Sequence, residues 1–129
     1  MNSGQVCLCL KRIFIHSSIY EPFREALVEE VKKFKVGNGL EEGTTHGPIQ
    51  NVMQFERVKG FFAEIEKENW KVAVGGRNDT SKPGYYITPT IIDAPAEDSR
   101  LVIEEPFCML LLIAIAIAIK SLLSLSSVY

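Results

Sequence analysis

The sequence predicts an α/β fold, a mostly parallel sheet with flanking helices, and three observations carry that expectation. The β-prone apolar run Ile13–Ile15 suits a strand buried on both faces. Two later stretches place apolar residues at helical intervals. The resulting order of strand, helix, helix, strand, strand is an α/β order. At 129 residues, a single domain with a modest core is expected.

Ser18 stands three positions before Glu21, the spacing of a capping box. The helix that follows carries Phe23, Ala26, Leu27, Val31 and Phe34 on one stripe. Glu21, Glu25, Glu29, Glu30, Lys32 and Lys33 form its polar face, acids early and lysines late, in agreement with the helix dipole. Gly37 is the expected stop. Residues 39–48 read as a loop, and a second helix is predicted from Asn51 to Asn69. Phe55, Val58, Phe62 and Ile65 mark its buried face, with Phe61 beside them, a stripe that suits a core rather than a cofactor box. Gly60 in its middle costs about 1 kcal/mol relative to Ala, so a packing reason is expected there.

Lys71–Val74 reads as a short strand ending at Gly75-Gly76, and residues 77–83 as a polar turn, the most flexible segment. Tyr85–Ile92 reads as a further strand, with Pro89 placing an edge, bulge or break within it. An acidic loop, Ala94–Ser99, precedes Leu101–Ile103 and the run Glu104-Glu105-Pro106-Phe107. The chain changes character at Cys108, dividing into residues 1–107 and an apolar low-complexity tail, 108–129. Residues 110–119 contain nothing polar, but Lys120 ends the run short of the roughly 18 to 20 residues that span a bilayer. Membrane insertion is therefore not expected. The Ile-Ala alternation also leaves both faces apolar, unlike an amphipathic strand.

A net charge of −2 leaves no basic surplus for phosphates and excludes a nucleic-acid partner. Three cysteines form no even disulfide framework, which favours a reducing, cytoplasmic location. Cys7-Leu8-Cys9 lacks a second pair at zinc-like spacing, and His16 and His46 stand alone, so no metal site is expected. The first residues show no basic segment followed by an apolar core, so no signal peptide is indicated.

The stretch that organises the rest is Asn2-Ser3-Gly4-Gln5-Val6-Cys7. Gly4 permits close backbone approach, and a thiolate at Cys7 could act as a nucleophile if a helix N-terminus or a cation lowered its pKa. A small buried hydrophobe is the plainer role for such a cysteine, and spacing alone favours it.

Asn-x-Gly-Gln-x-Cys followed by Lys11-Arg12 and an apolar strand resembles the catalytic-cysteine segment of the aldehyde dehydrogenase superfamily. Gly37-Asn38-Gly39, Thr45-His46-Gly47-Pro48-Ile49, Gln54-Phe55, Gly75-Gly76, Gly84-Tyr85-Tyr86, Pro89-Thr90 and Glu104-Glu105-Pro106-Phe107 continue the resemblance. These blocks keep the family's order and close to its spacing. The resemblance implies that Cys7 attacks an aldehyde carbonyl to give a thiohemiacetal, that NAD or NADP takes the hydride, and that water hydrolyses the thioester. It further implies that Glu105 hydrogen-bonds the nicotinamide ribose, that Phe107 lines that site and that Gln54 approaches the ribose. By themselves, Glu105 reads as a surface carboxylate, Phe107 as a core aromatic and Gln54 as a solvated helix residue. Homo-oligomers are a family property.

Two departures from the pattern stand out. Cys108-Met109 replace the Gly-Pro that follows Glu-x-Phe in the family. The matching blocks also begin after the family's general-base glutamate, oxyanion asparagine and nucleotide-binding turn, and no Gly-x-Gly-x-x-Gly motif occurs. The resemblance therefore implies a partial catalytic domain, without its nucleotide-binding domain and inactive alone. The rival expectation is a non-catalytic fragment that associates with full-length dehydrogenase subunits through exposed sheet edges.

Overall fold

The computed structural model describes residues 2–78 and 83–116, and the turn expected to be flexible lies partly outside them, as does the tail beyond 116. Four strands form one sheet in the order β1-β4-β3-β2: β1 Arg12–His16, β2 Val72–Val74, β3 Thr90–Asp93 and β4 Leu110–Ala116. β1, β4 and β3 run parallel, with Ile13 beside Ile113 and Ile92 beside Leu112, while β2 pairs antiparallel with β3. Helix α1, Tyr20–Lys32, and helix α2, Val52–Lys67, pack on opposite faces, and the single turn α3, Arg100–Ile103, lies on the α2 side. The expected α/β architecture with a mostly parallel sheet is present.

Alternation along the central strands feeds two cores. Ile92 and Leu110 join Phe55, Val58, Phe61, Phe62, Ile65 and Leu101 on the α2 side. Ile91 and Ile113 join Ile15, Tyr20 and Val31 on the α1 side, with Leu27 and Val28 packed against them. Strand β4, drawn from the stretch read as an apolar tail, is therefore the strand between β1 and β3. Its two apolar faces are what such a position requires, because helices cover both sides.

Four local expectations are corrected. β1 is an edge strand in this chain, buried on one face only: Ile15 is 3% exposed and Phe14 61%. No capping box forms at Ser18. The His16 ring instead accepts the Ser18 N–H and caps a short 3₁₀ turn, Ser17–Ile19, and α1 follows with no side-chain cap. Helix α1 stops at Lys32, before Gly37, whose N–H instead donates to the His46 carbonyl across the loop (3.0 Å). Finally, pairing in β3 begins only after Pro89, and Tyr85–Pro89 is not a ladder strand.

Helix α2 follows expectation closely. Asn51 caps it by accepting the Gln54 N–H at 2.9 Å. At Gly60 an added Cβ would meet the Arg100 guanidinium at 3.7 Å, an ordinary contact, so steric need does not explain that glycine. Among the described residues no helix is long and apolar enough to cross a membrane.

Candidate functional site

The cysteine loop owes its shape to a run of left-handed residues, Asn2 (φ 40°), Ser3 (φ 51°) and Gly4 (φ 76°). Two non-glycine residues in this region cost roughly 1 to 2 kcal/mol each, so the loop needs outside support. Ser3 is buried and its hydroxyl donates to the Gly47 carbonyl (2.7 Å). The Gln5 amide donates to the Asn2 carbonyl at 3.0 Å and the Pro48 carbonyl at 3.3 Å, and its oxygen accepts the Gln50 N–H at 2.8 Å. Gly4 lies flat against the Cys108 carbonyl, which a Cβ would overlap. The loop is thereby fastened both to the segment before α2 and to the segment before β4.

Cys7 stands at the first central position of a turn closed by the Cys9 N–H to the Val6 carbonyl (3.1 Å). The turn's hydrogen bond does not use the Cys7 N–H, and Cys7 is exposed. Cys108 is the opposite kind of cysteine. Burial pushes its thiol up to about 12, against a smaller downward pull from the Lys11 ammonium. At neutral pH it stays a protonated core thiol, with little nucleophilic character. Cys9 is intermediate in exposure.

A cleft of about 750 Å³ opens between the loop and α2, lined by Ser3, Gln5, Pro48, Gln54, Arg57 and Phe107 among others. It brings together two of the four residues singled out in the sequence, Gln54 and Phe107. Cys7 and Glu105 do not line it, and both are exposed. Phe107 is half-buried, with a left-handed backbone (φ 49°). The Gln54 amide donates to the carbonyls of Pro106 (2.8 Å) and Phe107 (3.2 Å), so its nitrogen holds this strained segment in place. Glu105 has its carbonyl near Arg57 (3.5 Å), while its neighbour Glu104 carries the ion pairs, to Arg57 at 3.4 Å and Arg100 at 3.0 Å. The Arg100 guanidinium holds the Glu104 carboxyl below its usual value, with a smaller opposing effect of burial.

Ser3 and Arg57 lie outside the matched motif residues, and Gln5 and Lys11 stand within them without an assigned role. Arg57 had a legible signal, since it follows Gln54 by three residues on one helix face. For Ser3 and Lys11 the partners lie 44 and up to 97 residues away, beyond any local pattern.

Known proteins account for this geometry. The model of the aldehyde dehydrogenase family matches residues 1–123, passing through β4 and beyond Phe107, where the motif blocks end. A 1-pyrroline-5-carboxylate dehydrogenase from Bacillus cytotoxicus is 42% identical over 105 residues, 81% of this chain and 20% of its own length. A mitochondrial succinate-semialdehyde dehydrogenase from Oryza sativa subsp. japonica is 36% identical over 82% of this chain and 20% of its own. Among solved structures, the NAD+ complex of an aldehyde dehydrogenase from Bacillus cereus superposes with a TM-score of 0.84 at 30% identity, covering 95% of this chain and 25% of that one. The chain spans about a fifth of the length of the curated relatives it matches. The cysteine loop, the cleft beside α2 and the sheet behind them are thus parts of a known architecture, and this chain belongs to the aldehyde dehydrogenase family.

Proposed function

We propose that this chain is a portion of a catalytic domain that oxidises aldehydes to carboxylic acids, with Cys7 as the nucleophile. The observation that carries the reading is the fastened cysteine loop: a strained backbone, pinned by Ser3, Gln5 and Gly4, presents one exposed thiol beside a cleft with an aromatic wall. Strain retained under such support is a feature of functional sites.

In this reading the Cys7 sulfur adds to the aldehyde carbon, and the carbonyl oxygen takes up the charge. Sulfur suits the step because the thioester that follows has a good leaving group. The Cys7 N–H, unused by its turn, is available to the developing oxyanion. Phe107 and Arg57 offer an aromatic face and a cation, a set that fits part of a nucleotide cofactor. When bound, NAD or NADP supplies the acceptor for hydride. Gln54 acts through the backbone, holding Pro106 and Phe107 in place, and Glu105 is assigned to the cofactor side of the site by resemblance. The same reading gives the 129-residue chain no sustained turnover by itself.

The test is a graft of residues 2–107 into a full-length relative. Aldehyde oxidation should persist in the graft and fall by at least about 10³-fold on Cys7→Ala. A folded graft whose activity is indifferent to that substitution removes Cys7 from the role.

A further inference from the structure

Lys11, just before β1, joins the two halves of the site through one ammonium group. Its Nζ donates to the Gly4 carbonyl at 2.5 Å, three residues before Cys7, and to the Cys108 carbonyl at 3.3 Å, one residue after Phe107. The same nitrogen lies 5.4 Å from the centroid of the Phe107 ring, within cation–π range. Among the described residues no carboxylate pairs with this ammonium.

The charge is therefore committed to backbone carbonyls and an aromatic face rather than to a surface partner. Both segments it touches hold left-handed non-glycine residues, Asn2 and Ser3 in one and Phe107 in the other, and their backbones meet where Gly4 lies against Cys108. Where the two segments meet, the Lys11 ammonium gives a carbonyl of each a donor. A charge-assisted bond is roughly twice as strong as a neutral one, and a single ammonium can serve both carbonyls. Gln54 holds the Phe107 carbonyl from the α2 side, leaving Lys11 as the tie on the loop side.

We propose that Lys11 is a positioning residue that ties the Cys7 loop to the Phe107 segment and so sets where the nucleophile sits relative to the cofactor-lining aromatic. This rests on the assignment of Cys7 and Phe107 made above, but its test reads the tie itself and uses neither aldehyde nor cofactor.

The full 129-residue chain is compared with Lys11→Met, Lys11→Gln and Lys11→Arg by amide hydrogen exchange and by iodoacetamide labelling of Cys7 resolved by peptide mass spectrometry. In Lys11→Met, exchange in residues 2–9 and 105–109 should rise by about tenfold or more while α2 and β4 keep their protection. Cys7 labelling should change by at least about threefold as the thiol's surroundings loosen. Lys11→Arg, which keeps a cationic donor, should restore both, whereas a residue needed only for bulk would be replaced by methionine just as well. If Lys11→Met does not fold, Lys11→Gln is read in its place, with the same local rise expected. Unchanged exchange in both segments, a rise spread evenly through the sheet, or failure of Arg to restore either signal overturns the proposal. None of these outcomes bears on whether Cys7 is the nucleophile, which the graft decides.

Discussion

At the residue scale the cysteine loop turns on Gly4. Its φ of 76° lies where a Cβ is strained, and the Cys108 carbonyl occupies the space a Cβ would need. Ala at this position cannot be absorbed by a side-chain rotation, since the obstacle is backbone. Gly4→Ala should therefore destabilise the chain by about 2 kcal/mol or more, combining left-handed strain with displacement of the loop from β4. Urea unfolding of the two proteins measures the difference. A loss below about 0.5 kcal/mol would mean that the loop does not rest on Cys108.

At the scale of elements, α1 is docked on the sheet by a buried carboxylate at the end of β3. Asp93 is 2% exposed and receives the Arg24 guanidinium from α1 at 3.0 Å, the Lys71 ammonium at 2.7 Å and the Tyr20 hydroxyl. Burial alone would raise its pKa, but the hydrogen bonds from Lys71, Tyr20 and Arg24 prevail and lower it. Burial, reinforced by Asp93, raises the Tyr20 phenol above its usual value. The signs follow from these directions. Asp93 contributes stability that is complete above its unfolded value near 3.8 and is lost as pH falls through the lower folded value. Tyr20 contributes stability that is complete below 10 and is lost as pH rises through its folded value.

Asp93→Asn leaves two cations facing a neutral amide. Lys71 is largely solvated and Arg24 partly so, which puts the cost below the 3 to 5 kcal/mol of a fully buried broken pair, at about 2 kcal/mol. The gap to the wild type, read by urea titration, should hold from pH 7 down to about 4 and narrow only as pH falls below 3.8. A gap independent of pH would show that Asp93 charge does not dock α1. The i,i+3 pairs Glu29–Lys32 and Glu30–Lys33 on the same helix are exposed and contribute little by comparison.

At the scale of the whole molecule, the cleft sets what this chain can do alone. Among the described residues that line it, Arg57 is the only ionisable one, so the cleft walls described offer no carboxylate or imidazole as a proton acceptor. Positioning of a hydride acceptor can account for roughly 7 to 11 kcal/mol of a barrier, and Phe107 with Arg57 is a small surface on which to hold one. Loss of general-base help costs a further 10² to 10⁴-fold, roughly. Purified residues 1–129, given acetaldehyde or longer aldehydes with NAD or NADP, should show no sustained rise in reduced-cofactor absorbance. Continuous turnover that depends on Cys7 would overturn this expectation.

Much of this molecule was legible from local chemistry. Apolar spacing placed α2 within two residues of its observed ends, because helix formation is decided by neighbours three and four positions apart. The Asn-x-Gly-Gln-x-Cys block marked the loop that the fold later fastened. Other features depended on partners far along the chain. The apolar run after Cys108 read as a low-complexity tail, and nothing local marks it as a central strand. It became β4 because β1 and β3 flank it and two helices cover its faces. Phe14 and Ile15 are equally apolar, yet one is exposed and the other buried, since β1 has only one covered face in this chain. Gln54 read locally as a solvated helix residue and Lys11 carried no assigned role; their carbonyl partners lie 52 to 53 and 7 to 97 residues away. Backbone preference acts over a few residues, whereas burial and hydrogen-bond satisfaction are settled only when distant segments meet.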